Sequence, residues 1–239
     1  MKGIYWILFL PLLRLGWLWY IVGENLKVLC HMQATYLPDY ELTLRRRENM
    51  LFFKRWLKHP LQMGTLAPIT PRLAKLAASL ISDSSDLIVE IGAGTGRLTR
   101  ALLAGGVQPK NLALVELDPE FCVFLKETLK DAPECRASML HIIEGDAAKL
   151  SEIIPESFRG KVSTIVSAIP FMYIPPSVRE QIVQSSFDVL KPEGSILHVT
   201  YNPKSPLAFK KDLNQERVGK LWFNFPPGFV WKYQQDRPS

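Results

Sequence analysis

The residues whose types and spacing could do chemistry begin with three glycines at alternate positions, Gly92, Gly94 and Gly96, preceded by Glu90. Glycine has no Cβ, so such a loop lets the backbone approach a ligand closely. A dinucleotide-binding fingerprint needs its third glycine three positions after the second, and the chain has Arg97 there. Glu90 would also repel a polyphosphate, whereas it would attract a cationic amino group. The loop therefore favours S-adenosylmethionine, a sulfonium cofactor, over NAD, and the alternative is a plain strand-to-helix turn.

Two further carboxylates follow at intervals that suit the same ligand. Glu116 ends a second apolar run about twenty residues after the loop, where an acidic side chain can accept both ribose hydroxyls. Asp146, between Gly145 and Ala147, follows a third apolar run, where it could receive the adenine amino hydrogen. Taken singly, Glu116 could be a solvated strand end and Asp146 a helix N-cap. Their order and spacing together predict an adenosyl-binding site.

Apolar runs alternate with helical patterns from residue 70 onward, beginning with Thr70 as an N-cap and Pro71 at the first helical position. Strands are predicted at 87–91, 112–116, 140–143, 161–167 and 195–201, helices at 71–80, 95–103, 119–129 and 176–190, and a closing hairpin within 221–233. Such alternation requires crossover connections, and therefore a mostly parallel sheet covered on both faces. The predicted class is an α/β, Rossmann-like fold with ligands beyond the carboxyl ends of its strands.

An apolar stretch opens the chain. Residues 4–22 contain one charge, Arg14, and are about long enough to cross a bilayer as a helix. A secretory signal is a weaker alternative, because bulky aromatic residues stand where the small residues of a cleavage site belong. Pro11 and Arg14 disfavour a simple span, which leaves a helix lying on the membrane or one packed on the protein's own core as further alternatives.

A basic stretch with interleaved aromatic residues follows at 45–58, with six basic residues and one acidic residue. The whole chain carries a net charge of +6, which favours an anionic partner. The stretch suits a helix lying on an anionic membrane, a solvated basic helix or a contact with single-stranded nucleic acid. The adjoining apolar segment favours the lipid interpretation.

The glycine loop, the carboxylates and the alternating pattern resemble class I methyltransferases, which implies S-adenosylmethionine as methyl donor and S-adenosylhomocysteine as product. Two families are similar, the rRNA adenine dimethylases and the bacterial phospholipid N-methyltransferases. The rRNA enzymes carry Asn-Leu-Pro-Tyr or Asn-Leu-Pro-Phe after the fourth strand, and their Asn orients the target amine. This chain reads Ser167-Ala168-Ile169-Pro170-Phe171. Ala168 therefore occupies the Asn position and offers no side-chain acceptor to an adenine amine.

The phospholipid N-methyltransferases resemble the chain over residues 50 to 233. The matching motifs are 53–56, 63–65, 167–170, 200–203 and 226–231. This resemblance implies that Gly64 and Thr65 line the cofactor site. The predicted organisation is a membrane-anchoring helical segment, 1–47, and a methyltransferase domain, 48–239, with a seven-stranded sheet. The first 45 residues depart from the family, because they are more hydrophobic than its short amphipathic helix.

The predicted site residues fall into three groups. The cofactor group consists of Gly64, Thr65, Glu90, Gly92, Ala93, Gly94, Gly96, Glu116, Leu117, Gly145, Asp146, Ala147, Ser167 and Ala168. The substrate group consists of Ile169, Pro170, Phe171, Arg179 and Lys204, whose two cations would hold a lipid phosphate. Tyr173 and Tyr201 are the predicted catalytic residues, which accept the ammonium proton or relay it to water. Solvated surface charges and simply packed aromatic rings are the alternatives.

The predicted function is methyl transfer to the amino group of phosphatidylethanolamine and its methylated intermediates, towards phosphatidylcholine. Alternatives are an amine methyltransferase acting on rRNA adenine or on a protein side chain, and a non-catalytic membrane-bound scaffold. The expected setting is a membrane-associated monomer that binds an anionic membrane surface, with its active domain facing the cytoplasm. The four histidines lack metal-like spacing, so no metal is expected. No nucleic acid partner is expected either, because Ala168 occupies the Asn position and an apolar segment adjoins the basic stretch.

Overall fold

The computed structural model describes residues 39–58, 69–83, 85–130, 139–224 and 226–235. The chain divides into two compact units, residues 1–47 and 48–239. Of the first unit, the structure describes the beginning of helix α1 (Asp39–Lys58). The apolar segment 4–22, Gly64 and Thr65 lie outside the described residues. Within the described ranges, no helix combines the length and the apolar character needed to cross a membrane.

Seven strands form one sheet in the second unit. They are β1 (Leu87–Ile91), β2 (Leu112–Glu116), β3 (His141–Glu144), β4 (Val162–Ser167), β5 (Leu190–Thr200), β6 (Leu213–Leu221) and β7 (Gly228–Gln235). The strand order is β3-β2-β1-β4-β5-β7-β6, and the pairs are parallel except those that β7 makes with β5 and β6. The order reverses between β1 and β4, which is where parallel sheets of this type open a crevice for ligands beyond their carboxyl ends.

Helices cover both faces of the sheet. Helices α2 (Pro71–Ala78), α3 (Arg97–Ala104) and α4 (Pro119–Leu129) contribute to one buried core, and α5 (Leu150–Ile153) and α6 (Pro176–Val189) to the other. Successive residues of a strand point to opposite faces. Ile88 accordingly lies in the first core, and Val89 and Ile91 lie in the second. Glu90 therefore points to the face that α3 covers.

Two helices begin at residues that satisfy their first backbone N–H groups. Thr70 Oγ1 accepts the N–H of Leu73 at 3.3 Å before Pro71 starts α2. Asp118 Oδ1 accepts the N–H of Glu120 at 2.9 Å before Pro119 starts α4. Such caps contribute about 1 kcal/mol each. The Asp118 cap also fixes how the chain leaves β2, and hence the backbone around the candidate site.

The predicted architecture, a mostly parallel seven-stranded sheet with helices on both faces, is confirmed. The predicted start of the fifth strand at residue 195 was wrong, because β5 begins at Leu190. Val162 pairs with Leu190 but Thr164 pairs with Ser195, so the turn-like residues 191–194 bulge from the ladder without ending the strand. The closing hairpin was predicted within 221–233, but its first strand, β6, lies earlier, at Leu213–Leu221, because a polar strand at the edge of the sheet has no apolar run to mark it.

Candidate active site

The loop after β1 turns sharply because its three alternate glycines adopt left-handed backbone conformations. The φ angles of Gly92, Gly94 and Gly96 are 70°, 55° and 76°, a region that residues with a Cβ disfavour. A Cβ on Gly92 would lie 2.6 Å from Ile169 Cγ1, whereas a Cβ on Gly94 would meet a backbone oxygen at 3.9 Å. The backbone at Gly94 is therefore open to a ligand, while Gly92 packs against the loop that follows β4.

Glu116, at the end of β2, points its carboxylate at this loop. The two oxygens accept the backbone N–H groups of Gly94 at 2.7 Å and Asp118 at 2.9 Å. The Glu116 carbonyl also accepts the N–H of Gly145 at 2.9 Å, so the carboxyl ends of β1, β2 and β3 meet here. Burial raises the pKa of Glu116. Each carboxylate oxygen has a second lone pair, which leaves capacity to accept a ligand hydroxyl.

Glu90 lies beneath the glycine loop. Its side chain is 1% exposed and accepts a hydrogen bond from the Thr99 hydroxyl of α3 at 2.7 Å. Burial raises the pKa of Glu90 to about 8, and the neighbouring Glu116 adds to the rise. When a cation approaches a buried carboxyl group of this kind, it stabilises the ionised form of that group.

The carboxyl end of β3 supplies the next predicted group. Asp146 Oδ1 accepts the N–H of Ala148 at 2.9 Å, so Asp146 caps the short 3₁₀ turn that follows it. Ala147 is buried within this turn, and Ala93 is buried in the glycine loop. Leu117, directly after Glu116, is 67% exposed. Its side chain offers an apolar surface next to the Glu116 carboxylate.

The loop after β4 presents mainly apolar atoms. Ser167 is buried, and its Oγ accepts the N–H of Ile169 at 3.2 Å. Residues 168–170 are half-buried. Phe171 is 2% exposed and stacks on the ring of buried His198, with ring centroids 4.5 Å apart. The structure therefore places Phe171 in the core beneath the loop, while residues 168–170 stay partly exposed.

Tyr201 links the end of β5 to the start of α2. Its hydroxyl oxygen accepts the N–H of Thr70 at 3.2 Å, and the Thr70 hydroxyl donates to Asn224 Oδ1 at 2.5 Å. Burial raises the pKa of Tyr201, so the phenol stays protonated at neutral pH. A neutral phenol is a poor base, but it can relay a proton because its hydroxyl both donates and accepts.

The remaining predicted residues lie on two loops around the same edge and in the first turn of α6. Tyr173 is 66% exposed in the 3₁₀ turn after β4, and Lys204 is exposed after β5. Arg179 joins these two loops, because it donates to the carbonyl oxygens of Phe171 at 3.4 Å and Pro206 at 3.5 Å. Its Nε is buried and has no hydrogen-bond partner among the described residues, and its guanidinium lies 4.5 Å from the centroid of the Phe209 ring.

A buried ion cluster under the glycine loop was missed from the sequence. Glu48, on α1, is 1% exposed; it accepts a hydrogen bond from Arg97 at 2.7 Å and forms an ion pair with Arg100. Arg97 also donates to the carbonyl of Ile69 at 2.9 Å, and Arg100 donates to that of Thr95 at 3.2 Å. Burial lowers the pKa of Arg97 to about 10. The sequence did contain a signal for this cluster, because Glu48 is the single acidic residue of the basic stretch.

Comparison with known proteins identifies the domain. The family described as "Methyltransferase domain" matches residues 88–194, which run from β1 through the glycine loop, Glu116 and Asp146 into β5. The chain contains a class I methyltransferase domain. Enzymes with this domain use S-adenosylmethionine as their methyl donor, so the predicted cofactor and enzyme class are confirmed.

Two relatives of this methyltransferase differ in how much of their length it spans. The ornithine lipid N-methyltransferase of Singulisphaera acidiphila is 28% identical over 159 residues, which are 66% of this chain and 80% of that protein. The ribosomal RNA small subunit methyltransferase A of a Synechococcus species is 35% identical over 99 residues, 41% of this chain and 31% of that protein. The solved structure of mitomycin 7-O-methyltransferase has the same fold, with a TM-score of 0.51 at 17% identity over 70% of this chain and 54% of that one.

The residues around the glycine loop fit S-adenosylmethionine. The open backbone at Gly94, the spare lone pairs of Glu116, the exposed Leu117 and the buried carboxyl of Glu90 form one continuous set at the carboxyl ends of β1 and β2. Their individual contacts with the cofactor stay predictions, as do those of Gly64 and Thr65. In the part of the chain that the structure describes, no group of His, Cys, Asp and Glu side chains is placed to hold a metal ion.

Proposed function

We propose that this methyltransferase acts on the amino group of a membrane lipid, phosphatidylethanolamine and its methylated intermediates, and so leads towards phosphatidylcholine. The observation that carries the proposal is the similarity to a lipid N-methyltransferase across 80% of that protein's length. Ornithine lipids and phosphatidylethanolamine both place an amine near an anionic group at the head of a lipid. One site chemistry therefore serves either headgroup.

The chain's own residues hold the cofactor through charge and shape. When bound, S-adenosylmethionine supplies an electrophilic methyl group carried on a sulfonium. Glu116 would accept the ribose hydroxyls, Asp146 would accept from the adenine amino group, and Leu117 would pack against the base. Glu90 supplies the negative charge that matches the cationic part of the cofactor, because ionised Glu90 is stabilised when that part binds.

The loop after β4 forms the acceptor side of the site. Residues 168–170 are apolar and half-buried, and Ile169 packs directly on Gly92. Apolar surroundings disfavour an ammonium ion, so they lower the pKa of a bound lipid amine towards the neutral form that attacks the methyl group. The Tyr201 hydroxyl relays the released proton to water, and exposed Tyr173 covers the amine and its methylated products with an aromatic face.

Two cations at the same edge serve the lipid's anionic group. Arg179 is positioned by the carbonyl oxygens of two loops at this edge. A guanidinium positioned in this way binds a phosphate or carboxylate through charge-assisted hydrogen bonds. Lys204, which is exposed, adds a second and more mobile charge.

Membrane association follows from charge and apolar surface. The net charge of +6 attracts the chain to anionic lipids. Met50 and Phe53 on α1 are 71% and 51% exposed, so the basic stretch also presents apolar side chains to its surroundings. We infer that residues 1–47 anchor a monomeric enzyme whose methyltransferase domain, 48–239, works on the cytoplasmic side of the membrane.

Methylation of rRNA adenine is the second candidate, favoured by the 35% identity with the ribosomal RNA enzyme over 99 residues. Against it, the residue that would orient the adenine amine is Ala168, which has no polar side chain. Phe171, which could stack on a flipped base, is 2% exposed. Both observations favour the lipid over the base.

The test uses the full chain and S-adenosylmethionine that carries a labelled methyl group. Parallel reactions contain phosphatidylethanolamine vesicles, ornithine lipid vesicles or ribosomal RNA. Label in the phosphatidylethanolamine is the expected result. Label in ornithine lipid alone would contradict the proposed headgroup, and label in RNA alone would contradict lipid methylation altogether. Ala168→Asn is the companion variant, because it introduces the Asn that the rRNA enzymes carry at this position. It should lower lipid turnover.

A further inference from the structure

The turn between β6 and β7 exposes two adjacent aromatic side chains. Trp222 is 62% exposed and Phe223 is 92% exposed. Large aromatic groups that stay in water at a protruding turn mark a surface that meets a partner or a membrane. The proposed methyl transfer makes no use of either residue, so the turn needs a separate explanation.

The direction of the strands places this turn at the ligand edge of the sheet. β5 runs parallel to β4, and its last residue, Thr200, pairs with Phe229 near the start of antiparallel β7. Leu221, the last residue of β6, pairs with Gly228. The β6–β7 turn therefore projects beyond the carboxyl end of β5, at the same edge as the glycine loop and Glu116.

The base of the turn is held firmly although its tip is exposed. Asn224 is 8% exposed, accepts the Thr70 hydroxyl hydrogen bond at 2.5 Å and donates to the carbonyl of Pro226 at 2.6 Å. A Cβ on Gly228 would lie 2.6 Å from Leu73 of α2, so the start of β7 is also tightly packed. Thr70 in turn hydrogen-bonds Tyr201. The tip is therefore presented from a rigid support that also carries a candidate catalytic residue.

A cation accompanies the aromatic pair. The Lys220 ammonium lies 3.8 Å from the centroid of the Trp222 ring. Tryptophan beside lysine is characteristic of the bilayer interface, where the ring sits at headgroup depth and the ammonium meets lipid phosphates. Met172 and Tyr173, 53% and 66% exposed on the loop after β4, add apolar surface at the same edge.

We propose that residues 220–223 form an interfacial anchor, which inserts Trp222 and Phe223 among the headgroups of an anionic phospholipid bilayer while Lys220 binds phosphate. Insertion brings the ligand edge against the membrane, so a lipid headgroup reaches the site without leaving the bilayer. This inference rests on the proposed function for its substrate. A nucleic acid strand fits less well, because it requires a basic groove with spaced stacking platforms instead of one protruding tip.

The direct test places an environment-sensitive NBD label on the tip. The full chain carries Phe223→Cys, with its native cysteines Cys30, Cys122 and Cys135 replaced by Ala. Phosphatidylglycerol vesicles should raise the label's emission several-fold and shift it to the blue, and nitroxide-bearing lipids should quench it. The control label, at Met139→Cys, lies 43% exposed just before the amino end of β3, on the opposite edge, and should not respond. An unresponsive label at 223 would overturn the proposal.

A second variant connects insertion to turnover. Trp222→Ser combined with Phe223→Ser should raise the vesicle concentration for half-maximal rate roughly tenfold, because two interfacial side chains are lost. Its rate on a water-soluble short-chain phosphatidylethanolamine should match wild type, as should that of the control Met139→Ser. An unchanged vesicle requirement would overturn the proposal. If the label inserts but no lipid is methylated, the proposed function fails alone; if lipid is methylated while the label stays in water, only this inference fails.

Discussion

Glu116 combines two tasks in one carboxylate: it fixes the glycine loop through the N–H of Gly94 and keeps lone pairs for a ligand. Replacing it by glutamine removes the charge and turns one acceptor into a donor. We expect the dissociation constant for S-adenosylhomocysteine to rise roughly 10- to 100-fold, since hydrogen bonds to a charged group contribute about 1.5–3 kcal/mol. Isothermal titration calorimetry measures this dissociation constant. The control is Glu144→Gln, at the exposed cross-strand partner of Glu116 on β3, which should bind like wild type.

Glu90 should make stability depend on pH. The pKa of the unfolded residue is about 4.3, but burial raises the pKa of folded Glu90 to about 8. Between these values the folded chain holds a proton that the unfolded chain has released, so raising the pH across this window lowers the free energy of unfolding. One proton corresponds to about 1.4 kcal/mol per pH unit.

Glu90→Gln should therefore flatten the fall in stability between about pH 5 and pH 8 by one proton's contribution, because the amide cannot titrate and can still accept from Thr99. Urea unfolding at several pH values provides the comparison. Glu144→Gln should keep the wild-type slope, since that side chain is exposed. A Glu90→Gln slope equal to wild type would show that Glu90 does not hold the proton.

At the scale of elements, the glycine loop must keep both its backbone conformation and its contact with the loop after β4. Gly92→Ala introduces a Cβ 2.6 Å from Ile169 at a φ of 70°. We expect a loss of about 2–5 kcal/mol from strain and overpacking together, and weaker cofactor binding. Gly160→Ala is the matched control, because its φ is 65° and nothing lies within 4 Å of the new Cβ. Equal losses of unfolding free energy in the two variants would contradict the close contact between Gly92 and Ile169.

Helix α1 is connected to the glycine loop through the charge of Glu48. Glu48→Gln would leave Arg97 and Arg100 without their buried carboxylate, which should cost about 3–5 kcal/mol of unfolding free energy. Asp86→Asn breaks the Lys191 pair at 3.1 Å, where both side chains are about one-third exposed, and should cost less than about 1 kcal/mol. Chemical denaturation distinguishes the two. Similar small losses would mean that Glu48 is not an essential partner of the cluster.

The elements also show how far the sequence alone reaches. Short apolar runs predicted β1 to β4, and helical patterns predicted α2, α3, α4 and α6. These elements could be predicted because the local sequence pattern determines them. The start of β5 was missed, since only the pairing of Val162 with Leu190 keeps residues 191–194 in the strand. Glu48 was missed as well, because its partners come from α3 and no local pattern joins residues so distant in sequence.

For the whole molecule, one edge of the sheet gathers the glycine loop, the apolar loop after β4, two cations and an exposed aromatic turn. A soluble acceptor would need only the first two of these features. The additional cations and the aromatic turn suit an acceptor that is held in a charged membrane, and this combination supports the lipid amine as the proposed substrate. The net charge of +6 acts in the same direction.

Mass spectrometry of total lipids from bacterial cells that express the chain tests this claim most directly. Cells with the wild-type chain should accumulate phosphatidylethanolamine species heavier by one, two or three methylene masses, and cells with Glu116→Gln should accumulate far less at equal protein level. An unchanged lipid profile in cells that hold folded, cofactor-binding wild-type protein would contradict lipid N-methylation.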